Sequence, residues 1–96
     1  MKPIRISYPA SAELADAVRW YEQKRIGLGG EFFDAVIHAI ELLSARPEIG
    51  AVTGRTRSWL LTRFPYRVIY RLRDEDVYIV AIAHTSRRPG YWKNRQ

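Results

Sequence analysis

The apolar residues of this chain change their spacing at Arg46-Pro47, and that change limits the possible folds more than any other feature. Before it, Leu14, Val18, Tyr21 and Arg25, then Phe33, Val36, Ile37, Ile40 and Leu43, mark two stripes repeating every three or four residues. That is the period of helices with one buried side. Beyond it, short blocks alternate apolar with polar residues or stay apolar throughout, as strands do. A helical half followed by a strand half folds as α+β, with helices laid on one side of a sheet.

The punctuation supplies the element order. Residues 4–8 alternate as a short strand that Pro9 ends, and Ser11 is the expected cap of the first helix, with Glu13 and Asp16 in its early turns. Gly27-Leu28-Gly29-Gly30 is too glycine-rich to continue a helix, so the two helices should form a hairpin around it. Residues 57–63, 66–73 and 77–84 read as consecutive strands, separated by Phe64-Pro65 and by the charged turn Asp74-Glu75-Asp76. The expected architecture is β-α-α-β-β-β: a small antiparallel sheet with a helical hairpin packed on one face. It forms one domain over residues 1–96, ending in a basic tail at 85–96.

Composition narrows the class. Ninety-six residues suffice for one core, and 47% apolar with 27% charged residues suits a globular domain. The longest apolar run, 77–83, is far below the roughly 20 residues of a membrane span. No apolar stretch follows the N-terminal charges, so a cytoplasmic protein without a secretory leader or membrane partner is expected. The absence of cysteine removes disulfides and cysteine-ligated metals, and two histidines, 38 and 84, make a poor metal set. No cofactor or metal is expected.

Charge is unevenly placed. Residues 1–54 carry six Lys/Arg against seven Asp/Glu, whereas residues 55–96 carry ten against three. The whole excess lies in the strands and tail, which points to an anionic partner, nucleic acid or an acidic protein segment. Strand alternation puts Tyr66, Val68, Tyr70 and Leu72 on one side and Arg67, Ile69, Arg71 and Arg73 on the other. Arg57, Arg63, Arg67 and Arg71, with Arg88 and Trp92 of the tail, are therefore candidates for holding phosphate or carboxylate. Pairing with the chain's own acids is the competing reading, strongest for Arg73 beside the acidic turn. Arginine stabilises a phosphorane but is a poor base. Proton transfer in RNA cleavage would thus fall to His84 or Tyr91, with Arg67 and Arg87 as charge stabilisers. His84 also reads as a strand-end residue capping a backbone carbonyl, and Tyr91 and Trp92 as packing on the sheet. His38 reads as a surface residue beside Asp34 and Glu41.

The order of elements, the Phe64-Pro65-Tyr66-Arg67-Val68-Ile69-Tyr70-Arg71 strand, the Val80-Ala81-Ile82-Ala83-His84 strand and Arg87-Arg88-Pro89-Gly90-Tyr91-Trp92 together resemble the RelE/ParE superfamily. These are toxins of bacterial type II toxin–antitoxin modules, also called plasmid stabilisation proteins. The resemblance implies growth arrest and neutralisation by a cognate antitoxin, whose acidic segment folds on the toxin to give a hetero-oligomer. It also implies one of two mechanisms: poisoning of DNA gyrase, as in ParE-type members, or metal-independent cleavage of mRNA on the ribosome, as in RelE-type members. In the latter, the strand arginine falls on Arg67, the later arginine on Arg87 or Arg88, the tyrosine on Tyr91 and a histidine near His84. The paired lysines of that pattern would lie near Leu60 and Leu61, yet no lysine occurs between Lys24 and Lys93. That gap tilts the reading toward gyrase.

Overall fold

Ser7 starts the first helix. In the computed structural model, which describes residues 1–95, its hydroxyl accepts the amide of Ala10 and donates to the carbonyl of Val80, capping the helix and tying it to the last strand. The first strand β1 therefore stops at Ile6 (Ile4–Ile6), and α1 runs Tyr8–Lys24. The expected roles of Pro9 and Ser11 are displaced by one turn. Proline lacks an amide hydrogen, but the first helical turn does not use it, so Pro9 sits inside α1.

Helix α2 spans Leu28–Ala45, with Gly27 as its N-cap in a left-handed conformation, φ 90°. Gly29 and Gly30 thus belong to the helix rather than to a break. Gly29 is where the helices meet: a Cβ there would lie 2.5 Å from the Val18 carbonyl oxygen. Glu22 reaches across from α1 and accepts the amides of Gly27 and Gly29, both at 2.9 Å, placing a carboxylate at the positive end of α2. Phe32, not the expected Phe33, is the buried ring; Phe33 is exposed. Phe32 joins Tyr21, Phe64 and Tyr66 in an aromatic cluster with centroids 4.8 to 5.1 Å apart among the tightest pairs.

The remaining strands are β2 (Ala51–Thr53), β3 (Thr56–Leu60), β4 (Tyr66–Leu72) and β5 (Val77–His84), in the spatial order β1-β5-β4-β3-β2. The sheet is antiparallel from β2 to β5, and β1 adds to β5 in parallel, Ile4 opposite Val77. The α+β order expected from the sequence holds, with two corrections: β2 is an added edge strand, and the parallel β1 makes the sheet mixed rather than antiparallel throughout. The tail 85–96 is described except for Gln96, which lies outside the described residues. Among the described residues no helix is long and apolar enough to cross a membrane.

Both faces of β5 are covered, as its unbroken apolar run predicts. Val77, Ile79 and Ile82 face the helices and join the main core, while Val80, Ala81 and Ala83 face outward with Ile69. A register shift, Ile69 opposite Ala81 and Tyr70 opposite Ile79, puts the two neighbours Val80 and Ala81 on the same side. The outer cluster is roofed by Tyr78 and by Tyr91 and Trp92 of the tail. The sheet's second face is therefore only half open.

Candidate functional site

The β4 alternation decides where the arginines go. Val68 and Tyr70 are fully buried toward the helices, so Arg67 and Arg71 project from the outer face, flanking the buried Ile69. A groove of about 740 Å³ opens there. Its floor is Ser58, Val80 and the edge strand; Arg55, Arg67 and Arg71 stand along it, and Pro89, Gly90, Trp92, Lys93 and Arg95 form the opposite wall. No acid lines it. Among the described residues Arg55, Arg67, Arg71 and Lys93 make no ion pair. The Ser58 hydroxyl, opposite Ile69 in the ladder, is buried without a hydrogen-bond partner. The groove suits an anionic, partly apolar guest.

Other candidate residues lie elsewhere. Arg57 pairs with Tyr70 in the β3–β4 ladder and so faces the helix side, where it donates to the carbonyls of Glu48 at 2.9 Å and Gly50 at 3.1 Å. Arg63 is bound to Glu31, which also holds Arg25, and these arginines keep the Glu31 carboxyl below its ordinary range. Both serve structure where the sequence reading gave them to the anion site. Arg73 pairs with Asp76 through two bonds of 2.6 and 2.8 Å, the pairing the acidic turn suggested. Arg88 is exposed and lines neither hollow. His38 is exposed on α2.

His84 belongs to a different hollow. It is opposite Tyr66, with the rings edge to face at 5.0 Å, on the helix side of the sheet. Together with Arg87, Trp20, Glu13 and Asp16 it lines a cleft of about 540 Å³ between α1 and the end of the sheet. Its Nδ1 accepts the Ser86 amide at 3.0 Å, which leaves the hydrogen of the neutral ring on Nε2. His84 is thus a strand-end cap that accepts an amide, not one that donates to a carbonyl.

Tyr91 donates its hydroxyl to Glu13 at 2.7 Å. Burial first, and then that hydrogen bond, push its phenol well above the usual tyrosine range, so it holds its proton. The ring lies under Arg87, whose guanidinium is 3.9 Å from its centroid. Glu13 also accepts Arg95 through two bonds of 3.0 Å and the Ile82 amide at 3.0 Å. The sequence reading gave Glu13 only a helix-dipole role. Its one visible signal is position: it lies three residues beyond the buried Ala10 and four before the buried Ala17, on the inner flank of α1.

The family described as ParE toxin of type II toxin-antitoxin system, parDE, matches residues 4–89. Among solved structures, a chain titled as the chromosomal ParDE TA system from P. aeruginosa is similar, with a TM-score of 0.73 and 20% identity. The likeness covers 90% of this chain and 98% of that one. No curated protein matches the chain.

Proposed function

The chain belongs to the ParE toxin family of type II toxin–antitoxin systems, and from that premise we propose that it arrests growth by binding, as a DNA gyrase poison, with the outer groove as its docking surface. Poisoning by binding needs shape and charge complementarity and no proton-transfer machinery. The observation that carries the reading is the separation of Arg67 from His84. A metal-independent nuclease needs a cation on the phosphorane and an acid and base beside it. Here the unpaired guanidinium of Arg67 and the imidazole of His84 belong to different hollows on different faces, and the Tyr91 proton is held by Glu13. Arg87 alone of the two expected charge stabilisers shares the His84 cleft, so the pair of arginines is not assembled around one proton-transfer group.

A cognate antitoxin belongs to the same proposal. Among the described residues the groove has four unpaired cations and a partly apolar floor, which an acidic amphipathic segment would match by folding onto it. In the hetero-oligomer, that segment would neutralise the toxin by occupying the surface meant for the target.

The test uses purified toxin with gyrase and DNA, reading supercoiling and trapped cleavage complexes, alongside mapping of new mRNA 5′ ends after induced expression. Trapped cleavage complexes without new mRNA ends are expected. Codon-phased cuts that disappear in both Arg67→Ala and His84→Ala would replace this reading with mRNA cleavage.

A further inference from the structure

The outer groove owes one wall to residues 87–95, and that segment is held in place in an unusual way. The Arg87 amide ties its start to the His84 carbonyl at the end of β5, but beyond that its backbone hydrogen bonds close on itself: Tyr91 onto Arg88, Lys93 onto Gly90, Arg95 onto Trp92. None of these later bonds joins the sheet, so side chains set the position of the wall past residue 87. Tyr91 and Trp92 pack on the outer cluster, but apolar contact is non-directional and fixes no orientation.

Most of the directional side-chain contacts converge on one carboxylate that comes from the other side of the sheet. β1 pairs with β5 only as far as Ile6 opposite Ile79, so the β5 edge beyond it has no neighbouring strand. Glu13 of α1 fills that gap. It accepts the Ile82 amide, and at the same edge it takes the Tyr91 hydroxyl and both Nη groups of Arg95. Arg95 also donates to the carbonyl of Val80, the bulge residue, at 3.1 Å. Both partners are shielded, with side chains 17% and 23% exposed for Glu13 and Arg95. Charge-assisted bonds at such a site are stronger than those of a surface pair.

We propose that Glu13 is a positioning residue for the groove: by gripping Arg95 and Tyr91 around the edge of β5 it fixes residues 87–95 as the wall against which a target docks. The second half of this inference rests on the groove being the gyrase-docking surface; the first half does not. The proposal separates shape from charge. Glu13→Gln removes an acid and frees Arg95, so a groove acting through positive charge alone would bind an anionic surface more tightly. A groove that needs its wall would bind less tightly.

The experiment compares the full chain with Glu13→Gln and Arg95→Gln, singly and together. Amide hydrogen exchange is followed by mass spectrometry, and gyrase cleavage complexes are titrated with toxin. Glutamine keeps an acceptor for the Ile82 amide, removes the charge and replaces the oxygen facing Tyr91 and Arg95 with an NH2 donor. Protection of residues 87–95 should fall by about ten-fold or more in each single variant while β4 and β5 keep theirs, and the double variant should add little. The toxin concentration for half-maximal trapping should rise by about ten-fold. Unchanged protection of the tail, an equal loss across the whole sheet, or tighter trapping by Glu13→Gln would overturn the proposal. If Glu13→Gln does not fold, Arg95→Gln decides by the same exchange readout. If wild-type toxin traps no gyrase, the docking reading falls, while tail exchange still decides the role of Glu13.

Discussion

Arg67 and His84 lie one rung apart in the β4–β5 ladder, Arg67 opposite Ala83 and His84 opposite Tyr66, and they project from opposite faces of the sheet. Side chains alternate along a strand, so no rotamer of either residue unites them in one site. The two should therefore be functionally separable. Arg67→Ala removes an unpaired groove cation and should weaken gyrase trapping by about ten-fold, with a shallower salt dependence. His84→Ala should leave trapping within about two-fold, because its bonds serve the Ser86 turn. Titrating both variants in the cleavage-complex assay at two salt concentrations checks the pair. Equal losses would mean that the two faces act as one site.

How far this site was legible in the sequence varies by residue. The groove cations Arg67 and Arg71 follow from period-two alternation, and β5 was bounded correctly because an unbroken apolar run has abrupt ends. Arg57 was misplaced because its strand has no apolar pattern strong enough to define a face; pairing with Tyr70 settles it. Phe32 and Phe33 are neighbours 100° apart on the helix, and only the position of α1 chooses between them. The parallel pairing of β1 depends on a segment more than 70 residues away, and the bulge at Val80 on the register that β5 takes against β4; local periodicity encodes neither. Glu13 escaped for the same reason, since all its partners lie near the other end of the chain.

Tyr70 should matter to stability through its hydroxyl as well as its ring. That hydroxyl donates to the Pro47 carbonyl at 2.8 Å and accepts the Gly50 amide at 2.9 Å, pinning the loop between α2 and β2 from within the core. Tyr70→Phe keeps the ring and strands both backbone groups, at a cost of about 1–3 kcal/mol. Urea denaturation should show the midpoint falling with an unchanged slope.

Two tyrosine- and carboxylate-centred contacts should shape the pH profile at opposite ends. The hydrogen bond from Arg73 holds the Asp76 carboxyl below its ordinary value of 3.8. A depressed folded-state pKa contributes stability above that ordinary value and loses it as pH falls through the folded one. Tyr91 is the reverse case, raised above 10.0 by burial and then by its bond to Glu13. Its contribution is complete below pH 10.0 and disappears as pH rises through the folded value. Asp76→Asn should therefore flatten the acid limb of stability against pH, and Tyr91→Phe the alkaline limb. Denaturant midpoints measured across pH would show it, and unchanged limbs would contradict the assignment.

Gly29 and Gly30 offer adjacent substitutions with opposite signs. Both are helical, so in each case alanine should stiffen the unfolded chain and improve helix propensity, contributing about 0.4–1 kcal/mol. At Gly30 nothing lies within 4 Å of an added Cβ, and the gain should appear in full. At Gly29 the same methyl would sit 2.5 Å from the Val18 carbonyl oxygen and 3.0 Å from the Glu22 Cβ. The first of these is backbone, so α1 and α2 must separate, also stretching the bonds from Glu22 that cap α2. Overpacking of this kind costs about 1–3 kcal/mol, more than the propensity gain. Thermal denaturation should thus show Gly30→Ala raising the midpoint by a few degrees and Gly29→Ala lowering it by about 5 °C or more. Two shifts of the same sign would mean that the helices do not meet at Gly29, and the position of α1, which carries Glu13 to the edge of β5, would need to be redrawn.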